Sequence, residues 1–110
     1  MHRYNLKITE LAEQDLEEIG DYIAFRLKNP SAAIDMVRSL RKTINTLVLE
    51  PERHELDEDE ALAALGVRKS YFKNYKIYYM VHESTGNVVV LRILHMLVDS
   101  RAKLYRVFEL

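Results

Sequence analysis

Two amphipathic helical stripes that meet at a two-residue break constrain this chain more than any other feature. Ala12, Leu16, Ile19, Ile23 and Leu27 recur at three- and four-residue steps, so residues 10–28 read as a helix with one apolar face. Asn29-Pro30 stops that helix and starts another. Asparagine is a good N-cap, and proline suits the first helical position, where its missing N–H has no partner to lose. Ala33, Met36, Val37, Leu40, Ile44, Leu47 and Val48 then form a second stripe that runs to Pro51. Matching stripes joined by so short a break predict a helical hairpin.

Around the hairpin the periodicity changes to two. Residues 3–9 alternate, with Tyr4, Leu6 and Ile8 on one side, and read as a half-buried strand. Thr9 follows as a predicted N-cap, with Glu10, Glu13 and Asp15 at the positive end of the first helix. Residues 50–66 are acidic and read as a loop in which ALAAL adds a short helical turn. Residues 67–73 and 75–82 are rich in aromatic and β-branched residues, with Asn74 as the turn between them. After a second turn at 83–87, residues 88–95 are apolar almost throughout, as in a strand covered on both faces. Asp99 then caps a last helix over residues 100–108. The order is β-α-α-β-β-β and a short helix, an α+β chain in one domain spanning 1–110 without repeats or linkers.

Composition narrows the chemistry. The 110 residues are 48% hydrophobic and 30% charged, with only three glycines and two prolines, which argues for a packed core and against disorder. The absence of cysteine excludes disulfides, thiolate metal sites and cysteine nucleophiles. No apolar run is long enough to span a bilayer, and the N-terminus lacks the apolar core of a signal peptide, so a cytoplasmic protein without membrane contact is expected. His2, His54, His82 and His95 are scattered without metal-ligand spacing, and neither a metal nor another cofactor is expected. The net charge of −1 conceals an asymmetry. Residues 1–60 hold 8 Lys/Arg against 14 Asp/Glu, and residues 61–110 hold 8 against 3. Seven carboxylates fall within residues 50–60, directly before Arg68, Lys69, Lys73 and Lys76. Such a pattern fits a basic face for an anionic or acidic partner on an otherwise acidic body.

Three stretches in this order, TELAEQDLEEIGDYIA, VRKSYFKNYKIYYMV and VVVLRILH, resemble the RelE/ParE superfamily of bacterial toxins from type II toxin–antitoxin (plasmid stabilisation) modules. The resemblance covers nearly the whole chain. It implies a small antiparallel sheet with the N-terminal strand, the helical hairpin packed on one face and the other face partly open. It also implies a cognate antitoxin in a toxin–antitoxin hetero-oligomer, and one of two activities. RelE-like members cut messenger RNA in the ribosome, whereas ParE-like members bind DNA gyrase without being enzymes.

The residues distinguish these activities to a degree. Metal-free RNA cleavage needs a base, cations for the charged phosphorane and an acid for the leaving oxygen. His95, Arg92, Lys76 and Lys73 are the residues available for it. Lys76 stands where the family usually has arginine, keeping the charge but losing the bidentate grip on phosphate. After the last strand the chain reads His95-Met96-Leu97-Val98-Asp99, so apolar residues replace the cations expected of a ribonuclease. The first reading is therefore a ParE-like toxin that inhibits growth by binding a protein target, DNA gyrase by resemblance. Arg68, Lys69, Lys73, Lys76, Tyr78 and Arg92 would then form its target- or antitoxin-binding surface. The second is a ribosome-dependent mRNA endonuclease with a rearranged site, and the third a non-toxic interaction module on the same fold. Arg92 in the apolar strand needs solvent or a carboxylate such as Glu17 or Asp21. The antitoxin should bring an acidic-apolar segment to the basic strands, with the acidic 50–60 loop facing away from it.

Overall fold

The computed structural model describes residues 3–110, so His2 lies outside it. The chain forms β1 (Asn5–Ile8), α1 (Glu10–Asp21), α2 (Pro30–Thr46), α3 (Glu60–Ala64), β2 (Arg68–Phe72), β3 (Tyr75–His82), β4 (Asn87–His95) and α4 (Ser100–Val107). This is the α+β order expected, and the caps are the residues expected. Thr9 Oγ1 accepts from the N–H of Ala12, and Asn29 Oδ1 accepts from that of Ala32, with Pro30 in the first turn. Asp99 accepts from the N–H of Arg101.

The four strands run in the order β1-β4-β3-β2. β2, β3 and β4 form the expected antiparallel meander, but β1 lies parallel to β4, so the sheet is mixed. No tight turn ties β1 to its neighbour; the whole helical hairpin intervenes, and a crossover of that length permits a parallel pair. The first helix also departs from its expected form. Its α-helical part ends at Asp21, and Tyr22–Arg26 widen into a π-helical turn in which the Leu27 N–H donates to the carbonyl of Tyr22. Widening rotates the apolar face, so Ile23 stays buried whereas Leu27, expected in the stripe, is exposed. The two helices approach closely at Gly20, where a Cβ would lie 3.2 Å from Cγ2 of Val37.

Each face of the sheet carries its own core. On the hairpin face, Ala12, Leu16, Leu40, Ile44 and Leu47 pack on Ile77, Tyr79, Val88, Val90 and Ile93. On the other face, Leu62 of α3 and Leu104 of α4 cover Val67, Tyr78, Leu91 and Leu94. That second face is therefore more fully closed than expected, which explains why β4 is apolar at residues 88–91, 93 and 94. A β-bulge makes this possible. Tyr78 opposes Arg92 and Tyr79 opposes Val90, leaving Leu91 as the extra residue. Val90 and Ile93 thus face the hairpin although they are three residues apart, and Leu91 turns to the opposite core.

β1 stops opposite Val90, and two side chains then continue the pairing along β4. Thr9 Oγ1 donates to the carbonyl of Leu91 at 2.9 Å. Asp15 Oδ2 accepts from the N–H of Ile93 at 2.9 Å and from Nε of Arg92 at 2.8 Å, while Oδ1 accepts from Nη2 of Arg92 at 2.8 Å. Arg92 is thus answered by a carboxylate on the hairpin; the partner is Asp15, and not Glu17 or Asp21. Asp15 is only 6% exposed. Removing one member of a buried pair leaves the other charge uncompensated, which typically costs about 3–5 kcal/mol. Asp15→Ala should therefore lower the unfolding free energy in urea by about 3 kcal/mol or more. The double variant Asp15→Leu/Arg92→Met should cost less than Asp15→Ala alone. A loss below about 1 kcal/mol for Asp15→Ala would show that the pair does not hold helix to sheet.

Candidate functional site

The basic residues singled out by sequence do not converge on one point. Lys69, Tyr71, Lys76 and Tyr78 line a cleft of about 520 Å³ on the face opposite the hairpin, between the acidic segment and the N-terminal end of α4. Arg92 and His95 line a different concavity of about 410 Å³, with Asp15, Tyr22, Tyr75 and Lys103. Lys73 sits exposed at the tip of the β2–β3 hairpin, its ammonium 5.6 Å from the Phe72 ring centre. It shares the two-residue turn with Asn74, as expected of Asn74, and carries that turn's positive φ of 51°. A third, larger groove of about 770 Å³ follows the outer side of the helical hairpin, over Ala24, Phe25 and Ile34.

Within the 520 Å³ cleft the cations are already engaged. Lys76 Nζ donates to the carbonyl of Val98 at 3.3 Å and lies 5.9 Å from the ring centre of Tyr78. Tyr78, expected on an accessible tyrosine–lysine surface, is 3% exposed and forms the cleft floor beneath α4. Burial raises its phenol pKa. Tyr71 supplies the exposed ring instead. Lys69 is ion-paired with Glu58. Burial alone would lower the pKa of Lys69, but Glu58 and Tyr71 outweigh it and raise it; the hydrogen bond from Lys69 in turn lowers that of Glu58.

Glu58 belongs to the acidic segment, and that segment corrects an expectation. Residues 52–59 do not face away from the basic strands; they lie along the outer edge of β2. Leu56 bridges Arg68 in antiparallel fashion, the Asp57 N–H donates to Val67 O at 2.8 Å, and the Lys69 N–H donates to Glu55 O at 3.2 Å. Arg68 Nη1 donates to the carbonyls of His54 and Glu52 at 2.7 and 3.3 Å. At the far end Asp59 caps α3 through Leu62 N–H and accepts from the Tyr105 hydroxyl at 2.8 and 2.9 Å. Arg101 Nε adds an ion pair at 2.8 Å. One carboxylate thus joins the acidic segment, α3 and α4.

His95 is held by two contacts. Its ring meets Tyr75 edge-on at 5.6 Å, and its Nδ1 accepts from the N–H of Leu97 at 3.1 Å. That bond engages the lone pair of Nδ1, so the neutral ring carries its hydrogen on Nε2. Among the described residues no group of three or more His, Asp or Glu is arranged to hold a metal ion. No helix among them is long and apolar enough to cross a membrane. Sequence reasoning missed Asp15 and Asp59 as organising residues. The signal for Asp15 was its place three residues after Ala12 and four before Ile19, inside the apolar stripe.

Comparison with known proteins places this arrangement. Residues 6–99 match the family described as the ParE toxin of the type II toxin-antitoxin system, parDE. Among solved structures, the chain is similar to the chromosomal ParDE toxin–antitoxin system from P. aeruginosa, at a TM-score of 0.72 and 23% identity over 86% of this chain and 98% of that one. It is also similar to the toxin–antitoxin complex RelBE2 from Mycobacterium tuberculosis, with a TM-score of 0.63 and 20% identity over 84% and 98%. The isolated E. coli RelE toxin follows, with a TM-score of 0.60 and 15% identity over 97% and 99%. At these identities the solved structures establish the fold. No curated protein matches the sequence significantly.

The latch at Asp59 has a pH signature. The Tyr105 hydroxyl, the Leu62 N–H and Arg101 together hold the Asp59 carboxyl below its ordinary pKa. A depressed carboxyl pKa contributes stability that is present above the unfolded value, near 4, and is lost as pH falls through the lower folded value. Urea midpoints should therefore drop between pH 5 and 3, and Asp59→Asn should lower the midpoint at pH 7 while making that acid slope shallower. An unchanged slope in Asp59→Asn would mean that the latch contributes nothing to stability.

Proposed function

The chain belongs to the ParE toxin family of type II toxin–antitoxin systems, and on that premise we propose that it inhibits bacterial growth by binding a protein target, DNA gyrase, and not by catalysis. A cognate antitoxin neutralises it in a cytoplasmic toxin–antitoxin hetero-oligomer. The observation that carries this reading is the division of the would-be catalytic residues. His95 and Arg92 line one concavity and Lys76 another, while Lys73 stands at a hairpin tip. A phosphorane needs its base, cations and acid within hydrogen-bond reach of one point. Arg92 is moreover committed to Asp15, and Nδ1 of His95 to Leu97. A binding surface has no such demand, because it works through area, charge and exposed rings spread over several elements. For the antitoxin, the solved ParDE and RelBE systems support a partner of this kind, and the lysine-bearing cleft suits a segment with acidic and apolar residues.

The test is to induce the chain alone in bacteria and pulse-label DNA and protein synthesis separately. DNA synthesis should fall first. His95→Gln, which spares the Asp15–Arg92 pair, should arrest growth within about twofold of the unaltered chain. Protein synthesis falling first with cleaved messages, together with loss of arrest in His95→Gln, would replace this reading with that of a ribosome-dependent endonuclease.

A further inference from the structure

The segment between Pro51 and α3 is attached in an unusual way. Its ends are anchored by apolar or buried contacts. Pro51 is buried and its carbonyl accepts from the Tyr79 hydroxyl at 2.6 Å, and Leu62 is 1% exposed. Between these anchors, Glu52, Arg53, Glu55, Leu56 and Glu58 are all exposed. What holds this middle is mostly polar: two backbone hydrogen bonds, to Val67 and Lys69, the Arg68 contacts to carbonyls and the Lys69–Glu58 pair, with the His54 ring edge-on to Tyr79 besides. Lys69 is 10% exposed at its side chain while Glu58 is 85% exposed, so an inward cation is answered by a carboxylate standing in solvent. Exposed ion pairs and hydrogen bonds without apolar burial lie at the weak end of local stability, and segments held by them open readily.

We infer that the outer edge of β2, with Arg68 and Lys69, is an acceptor site for an extended acidic peptide of a protein partner, and that residues 52–59 fill it as an internal stand-in for that peptide. The geometry is that of strand addition. An incoming strand would take the hydrogen bonds that Val67 O and the Lys69 N–H now make with Asp57 and Glu55, and would place a carboxylate on Lys69 as Glu58 does. Charge decides the chemistry of the occupant. The edge presents Arg68 and Lys69, with Lys76 in the adjoining cleft, and what occupies it now carries carboxylates at Glu52, Glu55, Asp57, Glu58 and Asp59. The internal segment binds without a buried apolar anchor of its own, Leu56 being 42% exposed. A partner that adds one apolar anchor to the same acidic pattern therefore outcompetes it. This deepens the proposed function and rests on it in one respect, that the partner brings an acidic segment.

The experiment uses the purified full chain and, as probe, a labelled synthetic peptide with the sequence of residues 52–60. In Glu55→Gln/Glu58→Gln the internal competitor is weakened while Asp57, which bonds within the segment, and Asp59, which latches α4, are kept. A tethered competitor acts at an effective concentration of the order of millimolar, so its loss should tighten peptide binding at least about tenfold by fluorescence anisotropy. Adding Lys69→Gln should abolish that gain, and raising salt should diminish it. Equal binding by the variant and the unaltered chain, or a gain that survives Lys69→Gln, would overturn the inference. A single-stranded RNA oligonucleotide showing the same gain would assign the edge to phosphates and overturn the peptide assignment. A second measurement needs no variant. In hydrogen exchange, the amides of Asp57 and Lys69 should exchange at least about 100-fold faster than that of Ile77, as local opening requires. Equal protection would mean that the segment does not open, and the inference falls. These readouts require no toxicity, so their failure leaves the growth-arrest reading standing, and failure of growth arrest leaves them interpretable.

Discussion

The carboxylate of Asp15 is the point on which the two layers of this molecule meet. A helix lying on a sheet is held mostly by apolar contact, which is strong but lets the layers slide. Asp15 removes that freedom. It accepts two hydrogen bonds from one guanidinium and a third from a β4 backbone N–H, so both its oxygens are directionally satisfied. The backbone bond counts for as much as the ion pair. Beyond Val90 the edge of β4 has no strand beside it, and a buried N–H left there unpaired would be costly. Thr9 and Asp15 supply what a longer β1 would have supplied. The hairpin thus sits in one register on the sheet, with Arg92 reaching Asp15 directly after the bulge at Leu91.

Much of the architecture was legible because it is local. Thr9, Asn29-Pro30 and Asp99 act as caps through hydrogen bonds spanning two or three residues, and a cap is visible in a few letters of sequence. The elements obscure in the sequence are those set by distant partners. β1 shows its alternation but not its direction, because direction depends on where the hairpin delivers the chain. Asp15 looks like an ordinary acid near a helix start until Arg92, 77 positions away, is placed beside it. The bulge at Leu91 hides inside a run of apolar residues, where an extra residue leaves no trace in polarity. The docking of residues 52–59 is hidden for another reason: it uses backbone groups, which every residue possesses.

The candidate site follows the same division. The presence of a basic strand pair was readable, since Arg68, Lys69, Lys73 and Lys76 stand close together in sequence. Which of them meet was not. Register places Lys69 opposite Tyr78 and Tyr71 opposite Lys76, so the cleft gathers alternate residues from two strands, while the turn carries Lys73 away from it. The charge asymmetry between the halves of the chain suggests two separate surfaces, yet the two meet: the acidic segment lies along the strand that follows it and pairs Glu58 with Lys69.

The position of β4 in the sheet has a consequence for synthesis. β4 is central, pairing with β1 on one side and β3 on the other, yet it is the last strand to be made. Until residues 87–95 leave the ribosome, β1 has no strand to join, Asp15 has no counter-ion, and the hairpin has no completed sheet to cover. A nascent chain with such long-range closure cannot fold in stages from its N-terminus, and its sheet closes only after β4 has been made.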